Sequence, residues 1–174
     1  RIMAEEVLSF TGVNVKPGKF LERVSRRKSG IDSAVAGDSS GVDISGDPVW
    51  QQAFRIYEER KQELHLLDFD DFLLRTAERI ENGQVNDGWE KKFRYLLVDE
   101  FQDINPAQLR LVKLWSSAGR ELFVIGDPDQ SIYGFRGVDS ACFERLRQEY
   151  DDLEMVNLKE NYRSTPQILK AASA

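Results

Sequence analysis

The sequence predicts an α/β fold, with a parallel sheet flanked by helices and a helical region ahead of it. Two stretches carry this reading. Tyr95-Leu96-Leu97-Val98 is a short unbroken apolar run that stops at the adjacent acids Asp99 and Glu100. Glu121-Leu122-Phe123-Val124-Ile125-Gly126-Asp127 is a second apolar run that also stops at an acid. Unbroken runs this short suit strands buried on both faces of a parallel sheet. A helical pattern follows each, and strand–helix alternation from residue 95 onward points to a parallel arrangement.

The elements follow in chain order. Residues 1–29 read as helix, interrupted around Gly12 to Gly18. Residues 30–47 are rich in Gly, Ser and Asp and poor in large apolar groups, which predicts a loop. Asp47-Pro48 then opens a helix, with Asp at the N-cap and Pro in the first turn. Trp50, Ala53, Phe54, Tyr57 and Leu64 recur at near-helical spacing, extending that helix to about Leu67. Asp68 caps the next helix, Asp70 and Asp71 lie favourably in its first turn, and Asn82-Gly83 ends it. Pro106 opens a helix that stops near Gly119. Residues 139–150 predict another helix, 152–158 a further strand, and Thr165-Pro166 the start of a last helix. No internal repeat is present.

Composition narrows the class. With 174 residues and 41% hydrophobic content, the chain can bury a core of its own. No apolar run approaches the ~20 residues of a membrane span, and no signal-peptide pattern opens the sequence. The lone cysteine, Cys142, permits no internal disulfide and fits a reducing compartment, so a cytoplasmic location and a small apolar role for that side chain are expected. His65 is the only histidine, which leaves little material for a histidine metal site or a Ser-His-Asp triad, and it reads as a helix-end residue. The net charge of −6 does not advertise nucleic-acid binding. Residues 16–28 nevertheless carry six basic side chains against Glu22. They form either a solvated helix face or a phosphate-binding face.

Asp99 and Glu100 carry the chemistry. Open α/β sheets place ligands beyond the carboxyl ends of their strands. One carboxylate there can hold Mg²⁺ through water while its neighbour orients or deprotonates an attacking water, the Walker B arrangement of a nucleotide hydrolase. The plainer alternative is a strand that ends in two solvated acids. A Walker A loop, Gly-x-x-x-x-Gly-Lys-Ser/Thr, would supply the backbone cradle for phosphate. The nearest approach, Gly12 to Lys19 followed by Phe20, has the wrong spacing, ends in the wrong residue type and follows no strand.

Three longer motifs add specificity. Asp99-Glu100-Phe101-Gln102-Asp103, the stretch from Gly126 to Gly137 and Asn161-Tyr162-Arg163-Ser164-Thr165 resemble, in order and spacing, motifs II, III and IV of the UvrD/Rep/PcrA helicases. Leu66 to Phe72 resembles the segment that leads these helicases back into their first motor domain. The resemblance is close over about residues 48–170 and looser over residues 1–30. It implies part of a RecA-like P-loop NTPase motor domain with a helical insertion. The implied division is 1–66 for the insertion, 67–158 for the C-terminal part of the first motor domain and 159–174 for the start of the second. It also implies that the chain is an internal piece of a longer enzyme, since relatives carry the phosphate loop before these motifs and further motifs after them.

The resemblance assigns roles. Asp99 would hold Mg²⁺ and Glu100 would serve as base or water-positioner. Gln130 would sense the γ-phosphate; otherwise it makes a turn hydrogen bond. Arg163 would be an arginine finger, or alternatively a surface ion pair, and Tyr162 would stack on adenine or lie in a core. Gln102 and Asp103 would support the nucleotide site, with Gln102 grouped among the nucleotide-binding residues. Tyr133, Phe135 and Arg136 suit stacking on exposed bases, with a local core as the alternative. Many relatives have Trp where this chain has Phe135. The basic face at 16–28 gains weight as a DNA contact.

The function implied is ATP- and Mg²⁺-dependent translocation on single-stranded DNA and unwinding at single/double-strand junctions, with 3′-to-5′ polarity. Two alternatives stand beside it: a DNA- or nucleotide-binding module without hydrolysis, and the helicase subunit of a nuclease complex. The 174 residues alone are expected to be inactive toward ATP. They are also expected to self-associate in a concentration-dependent way, because the strand at 121–127 would keep an unpaired edge that the strand at 152–158 could fill or that could pair two chains.

Overall fold

The computed structural model describes residues 1–30, 47–85, 93–117, 121–130 and 142–172, with the Cys142 side chain outside that description. The chain divides into two compact units, Arg1–Phe143 and Glu144–Ala174.

The first unit begins with three helices: α1 (Ile2–Thr11), α2 (Pro17–Lys28) and α3 (Pro48–Glu63). Gly12 ends α1 in the left-handed region, φ 72°, and donates its N–H to the Leu8 carbonyl. Pro17 starts α2, where its missing N–H costs nothing. Asp47 caps α3 by accepting from the Val49 N–H at 2.8 Å. The apolar stripes of the three helices meet around Phe20, which has no exposed surface. Its ring lies edge-on to Trp50 at 5.1 Å and to Tyr57 at 5.7 Å. Ala4, Val7, Leu8, Val24 and Ala53 complete the cluster. Full burial of a side chain such as Phe20 is worth about 1.5–3 kcal/mol. The basic stretch at 16–28 is partly absorbed by this packing: the Arg27 guanidinium sits 4.3 Å from the Phe54 ring and Arg23 5.9 Å from Trp50.

α3 stops four residues before the expected Leu67. His65 adopts φ 53°, and that left-handed residue turns the chain away from the helix axis. His65 is thus a helix-end residue, as its sequence context implies. α4 (Phe69–Glu81) follows with a capping box in which Asp68 and Asp71 exchange backbone-to-carboxylate bonds, each 3.0 Å. Asn82 and Gly83 end it.

The α4 cap is also an ion cluster. Lys28 Nζ reaches Asp68 at 2.7 Å, Asp71 at 2.6 Å and Glu58 at 3.0 Å. Lys61 Nζ reaches Asp68 at 2.7 Å and Glu58 at 3.1 Å, and also pairs with Asp71. The two lysine side chains are only 6% and 4% exposed, so α2, α3 and α4 are joined by charges withdrawn from water. Burial disfavours the Lys28 ammonium, but the carboxylates around it win and its pKa moves upward. Burial likewise disfavours the Asp71 carboxylate, and the two ammoniums hold it well below the usual aspartate range. Asp70 lacks those partners, and burial pushes its carboxyl up. Tyr57 is pushed up to about 12 by burial and by the nearby Asp68 charge.

α5 (Pro106–Ser116) opens with a second capping box, Asn105 with Gln108, both bonds 2.9 Å. It packs on α4, with an Arg110–Glu81 ion pair between the two helices, and its Ala107, Leu109, Leu111 and Val112 are buried. The helix ends at Ser116, short of the expected Gly119. β1 (Tyr95–Val98) and β2 (Glu121–Val124) pair in parallel, Tyr95 opposite Glu121 and Val98 opposite Val124.

Two expectations fail here. The strands are not buried on both faces: Tyr95, Leu97 and Phe123 are 53%, 69% and 58% exposed, while Leu96, Val98, Leu122 and Val124 are half-buried. Strand side chains alternate between faces, and the described residues put no cover over one of them. The stretch 152–158 is not a strand. It has no ladder partner among the described residues, and Met155, Val156 and Leu158 stand exposed. The second unit otherwise contains most of α6 (Cys142–Glu149) and α7 (Pro166–Ala172), the latter beginning at Pro166 as expected. The predicted loop at 30–47 falls almost wholly outside the described residues.

Lys61→Met should destabilise the protein by about 3 kcal/mol in urea unfolding, because it leaves three clustered carboxylates facing one ammonium. Stability should also depend on pH in a defined sense. Asp71 is depressed on folding, so its contribution is full above about pH 4 and is lost as pH falls below that. The raised Asp70 acts in the opposite sense and at higher pH, costing stability as pH rises from about 4 through its folded pKa. Lys28 and Tyr57 are both raised, so their contributions are full below about pH 10 and fade above it. Unfolding midpoints across acid and alkaline pH should show both limbs, with the acid limb reduced in Asp71→Asn.

Candidate functional site

The acids follow directly from β1. Asp99 and Glu100 are both exposed just past Val98, and Asp99 Oδ1 accepts the Glu100 N–H at 2.8 Å. Glu100 has φ 51° and ψ 42°, a left-handed conformation that costs a non-glycine residue about 1–2 kcal/mol. The surroundings hold it there. On one side the ladder runs past β2, with Ile125 N–H donating to the Val98 carbonyl at 2.9 Å. On the other, the Phe101 N–H donates to the Ile125 carbonyl at 2.9 Å, and the fully buried Phe101 ring lies edge-on to Phe143 at 5.2 Å. Glu100 is therefore pinned on both sides, and the chain enters a single 3₁₀ turn, Phe101–Asp103.

Gln102 ties this turn to the loop after β2. Its Nε2 donates to Glu100 Oε2 at 2.6 Å, and its Oε1 accepts the Asp127 N–H at 3.0 Å. The side chain is buried, with both ends of its amide committed. Asp127 gathers the following turn: Oδ1 accepts the Asp129 N–H at 3.0 Å, and Oδ2 accepts Gln130 Nε2 at 2.7 Å. Glu100, Gln102, Asp127 and Gln130 thus form one connected polar chain across the carboxyl ends of both strands, with Asp99 at its head. Gly126 makes the close approach possible. A Cβ there would lie 2.5 Å from Gln102 Oε1, 2.9 Å from Phe143 Cζ and 3.1 Å from the Gln102 backbone N.

Of the expected site residues, Asp99, Glu100, Gln102 and Gln130 are brought together. Gln130 is exposed, and its amide makes the turn bond to Asp127. Asp103 Oδ1 is buried without a hydrogen-bond partner among the described residues. Tyr162 and Arg163 belong to the second unit. The Tyr162 ring is 88% exposed with its hydroxyl donating to Glu160, and both are fixed on a turn in which Asn161 Oδ1 accepts the N–H groups of Arg163 and Ser164 at 2.9 and 2.8 Å. Tyr133, Phe135 and Arg136 lie outside the described residues. Sequence reasoning noted Asp127 only as the acid that ends a run, and gave Gly126 no role. A glycine at the end of an apolar run is the available signal, since glycine there marks a close backbone approach.

Among the described residues no three or more His, Cys, Asp or Glu side chains converge on a metal position. Mg²⁺ does not require that. It keeps most of its waters and takes one or two carboxylates together with substrate phosphates, and the exposed Asp99 fits such a role. No described helix is long and apolar enough to cross a membrane.

Two parallel strands whose carboxyl ends carry an acid pair and a cross-linked polar loop make an α/β arrangement, the class in which ligands bind beyond the strand ends. The sequence profile of the UvrD/REP helicase N-terminal domain matches residues 27–151, and the chain belongs to the UvrD/REP helicase family. It is similar to the ATP-dependent DNA helicase Rep of Salmonella typhimurium, 38% identical over 136 residues that cover 78% of this chain and 20% of that protein. Rep of Escherichia coli is 39% identical over 128 residues, 73% of this chain and 19% of that protein. The ATP-dependent DNA helicase PcrA of Staphylococcus aureus is 35% identical over 159 residues, 91% of this chain and 22% of that protein. The chain spans about a fifth of the length of these curated relatives.

Gly126→Ala tests the close approach. The added methyl must displace a Gln102 amide held at both ends, so stability should fall by about 1–3 kcal/mol, the usual cost of overpacking. Urea unfolding measures it; a variant as stable as the parent would mean that the Gln102 amide swings away freely.

Proposed function

We infer that these residues supply the hydrolytic acid pair, and the loop that follows β2, to an ATP-dependent DNA helicase. The observation that carries the reading is the continuous link from Asp99 and Glu100 through Gln102 and Asp127 to Gln130 at the ends of two parallel strands. The relatives named as ATP-dependent DNA helicases support it. Glu100 would accept a proton from, or orient, the water that attacks the γ-phosphate. Asp99 would hold Mg²⁺, which when bound neutralises charge on the phosphate oxygens. Gln130 would exchange its bond to Asp127 for a phosphate oxygen, and that exchange gives the loop a nucleotide-dependent state. Tyr162 would stack on adenine and Arg163 would meet phosphoryl oxygens with a fixed, always-charged fork.

Tyr133, Phe135 and Arg136 follow Gln130 within six residues. We assign them to stacking on single-stranded DNA, with action at single/double-strand junctions and 3′-to-5′ movement. No phosphate-cradling Gly-x-x-x-x-Gly-Lys-Ser/Thr occurs in the 174 residues, so turnover belongs to a longer protein that supplies it. We keep residues 1–66 as a helical insertion, 67–158 as part of a first RecA-like motor domain and 159–174 as the start of a second.

In the full-length protein, Glu100→Gln preserves size and an acceptor oxygen for Gln102 but removes basicity. Nucleotide binding should persist while steady-state ATPase falls by about a hundredfold or more, the scale of general-base loss. Near-normal turnover would remove Glu100 from that role and favour a binding module without hydrolysis. Phe135→Ala should weaken single-strand binding by about 1–3 kcal/mol and depress DNA-stimulated ATPase more than the DNA-free rate. Equal loss of both rates with a lower melting temperature would instead identify Phe135 as a core residue.

A further inference from the structure

We propose that Gln102 is a positioning residue that locks the Glu100 carboxylate to the backbone of the loop after β2, and not a contact to nucleotide. The proposal rests on the hydrolase reading of Glu100. Three observations carry it. The Gln102 side chain is 3% exposed, so it has almost no surface to offer a ligand. Its amide is committed at both ends, donating to Glu100 Oε2 at 2.6 Å and accepting from the Asp127 N–H at 3.0 Å. Gly126 leaves room for that amide and for nothing larger, since a Cβ would come within 2.5 Å of its oxygen.

The physical consequence is a rigid strut. The Glu100 backbone is already held at φ 51° by the ladder bonds on either side. Only its side-chain torsions remain free, and the Gln102 donor fixes one carboxylate oxygen while the other keeps its acceptor sites for water. The other end of the strut is the N–H of Asp127, whose carboxylate holds Gln130. A shift of the 127–130 turn therefore reaches Glu100 through two hydrogen bonds and one side chain. That gives the loop a direct means of setting the aim of the base, with no movement of β1.

The test uses the full-length protein with Gln102→Glu and Gln102→Met beside Glu100→Gln. Gln102→Glu keeps an oxygen for the Asp127 N–H but replaces the amide donor with a second carboxylate next to Glu100. Gln102→Met has similar volume, no charge and neither hydrogen bond. A positioning role predicts that kcat falls about tenfold or more while the affinity for a fluorescent ATP analogue changes by less than about twofold. If Gln102→Glu fails to fold, as judged by its melting curve, the kcat-against-affinity split in Gln102→Met decides. Affinity lost in step with kcat, or full turnover in the Gln102 variants with Glu100→Gln inactive, overturns the proposal alone. Full turnover in Glu100→Gln overturns both this proposal and the reading beneath it.

Discussion

The site depends on one close approach, that of the turn after β1 to Gly126. Two backbones come together there with only an amide between them, and that contact fixes where everything else at the strand ends can lie. Without it Phe101 and Ile125 could not share a hydrogen bond, Gln102 could not reach the Asp127 N–H, and Glu100 would have no reason to remain left-handed. The strain at Glu100 is thus held by its neighbours, as is common where a functional group must be aimed.

A different principle organises the helical part of the first unit. Its three helices meet on an aromatic centre at Phe20, but α4 is joined to them by charge. Asp68 and Asp71 serve twice, as the reciprocal cap of α4 and as acceptors for Lys28 and Lys61. A cap alone would start the helix; the two ammoniums also decide which way it leaves. Because Lys28 ends α2 and Lys61 lies in the last turn of α3, the direction of α4 follows from where two earlier helices stop. α5 packs on α4, so this arrangement extends to the helix between the two strands.

Much of this was legible in the sequence. Asp47-Pro48, Asp68 and Pro106 each mark a helix start because capping is local chemistry, decided within four residues. Acids at the ends of apolar runs mark strand termini for the same reason. What local chemistry cannot convey is a partner far along the chain. Lys28 reads as one more member of a basic run until Asp68 and Asp71, some forty residues away, surround it. Residues 152–158 have strand-like composition, but a strand exists only with a neighbour to bond. Leu64 to Leu67 carry helical periodicity, yet the left-handed turn at His65 overrides it. At the site, the acids were readable and the strut between them was not, because Gln102 and Gly126 acquire meaning only from each other.

The ion cluster has a consequence for temperature. Hydration of charged groups becomes less favourable as water warms, so the penalty for keeping Lys28, Lys61 and their carboxylates away from solvent shrinks. Apolar contacts such as those around Phe20 gain no comparable relief, since their strength per unit area plateaus on heating. The seam that orients α4 is therefore the part of the helical assembly that weakens least as the protein warms. Cooling acts in the opposite sense and makes the same charges more expensive to bury.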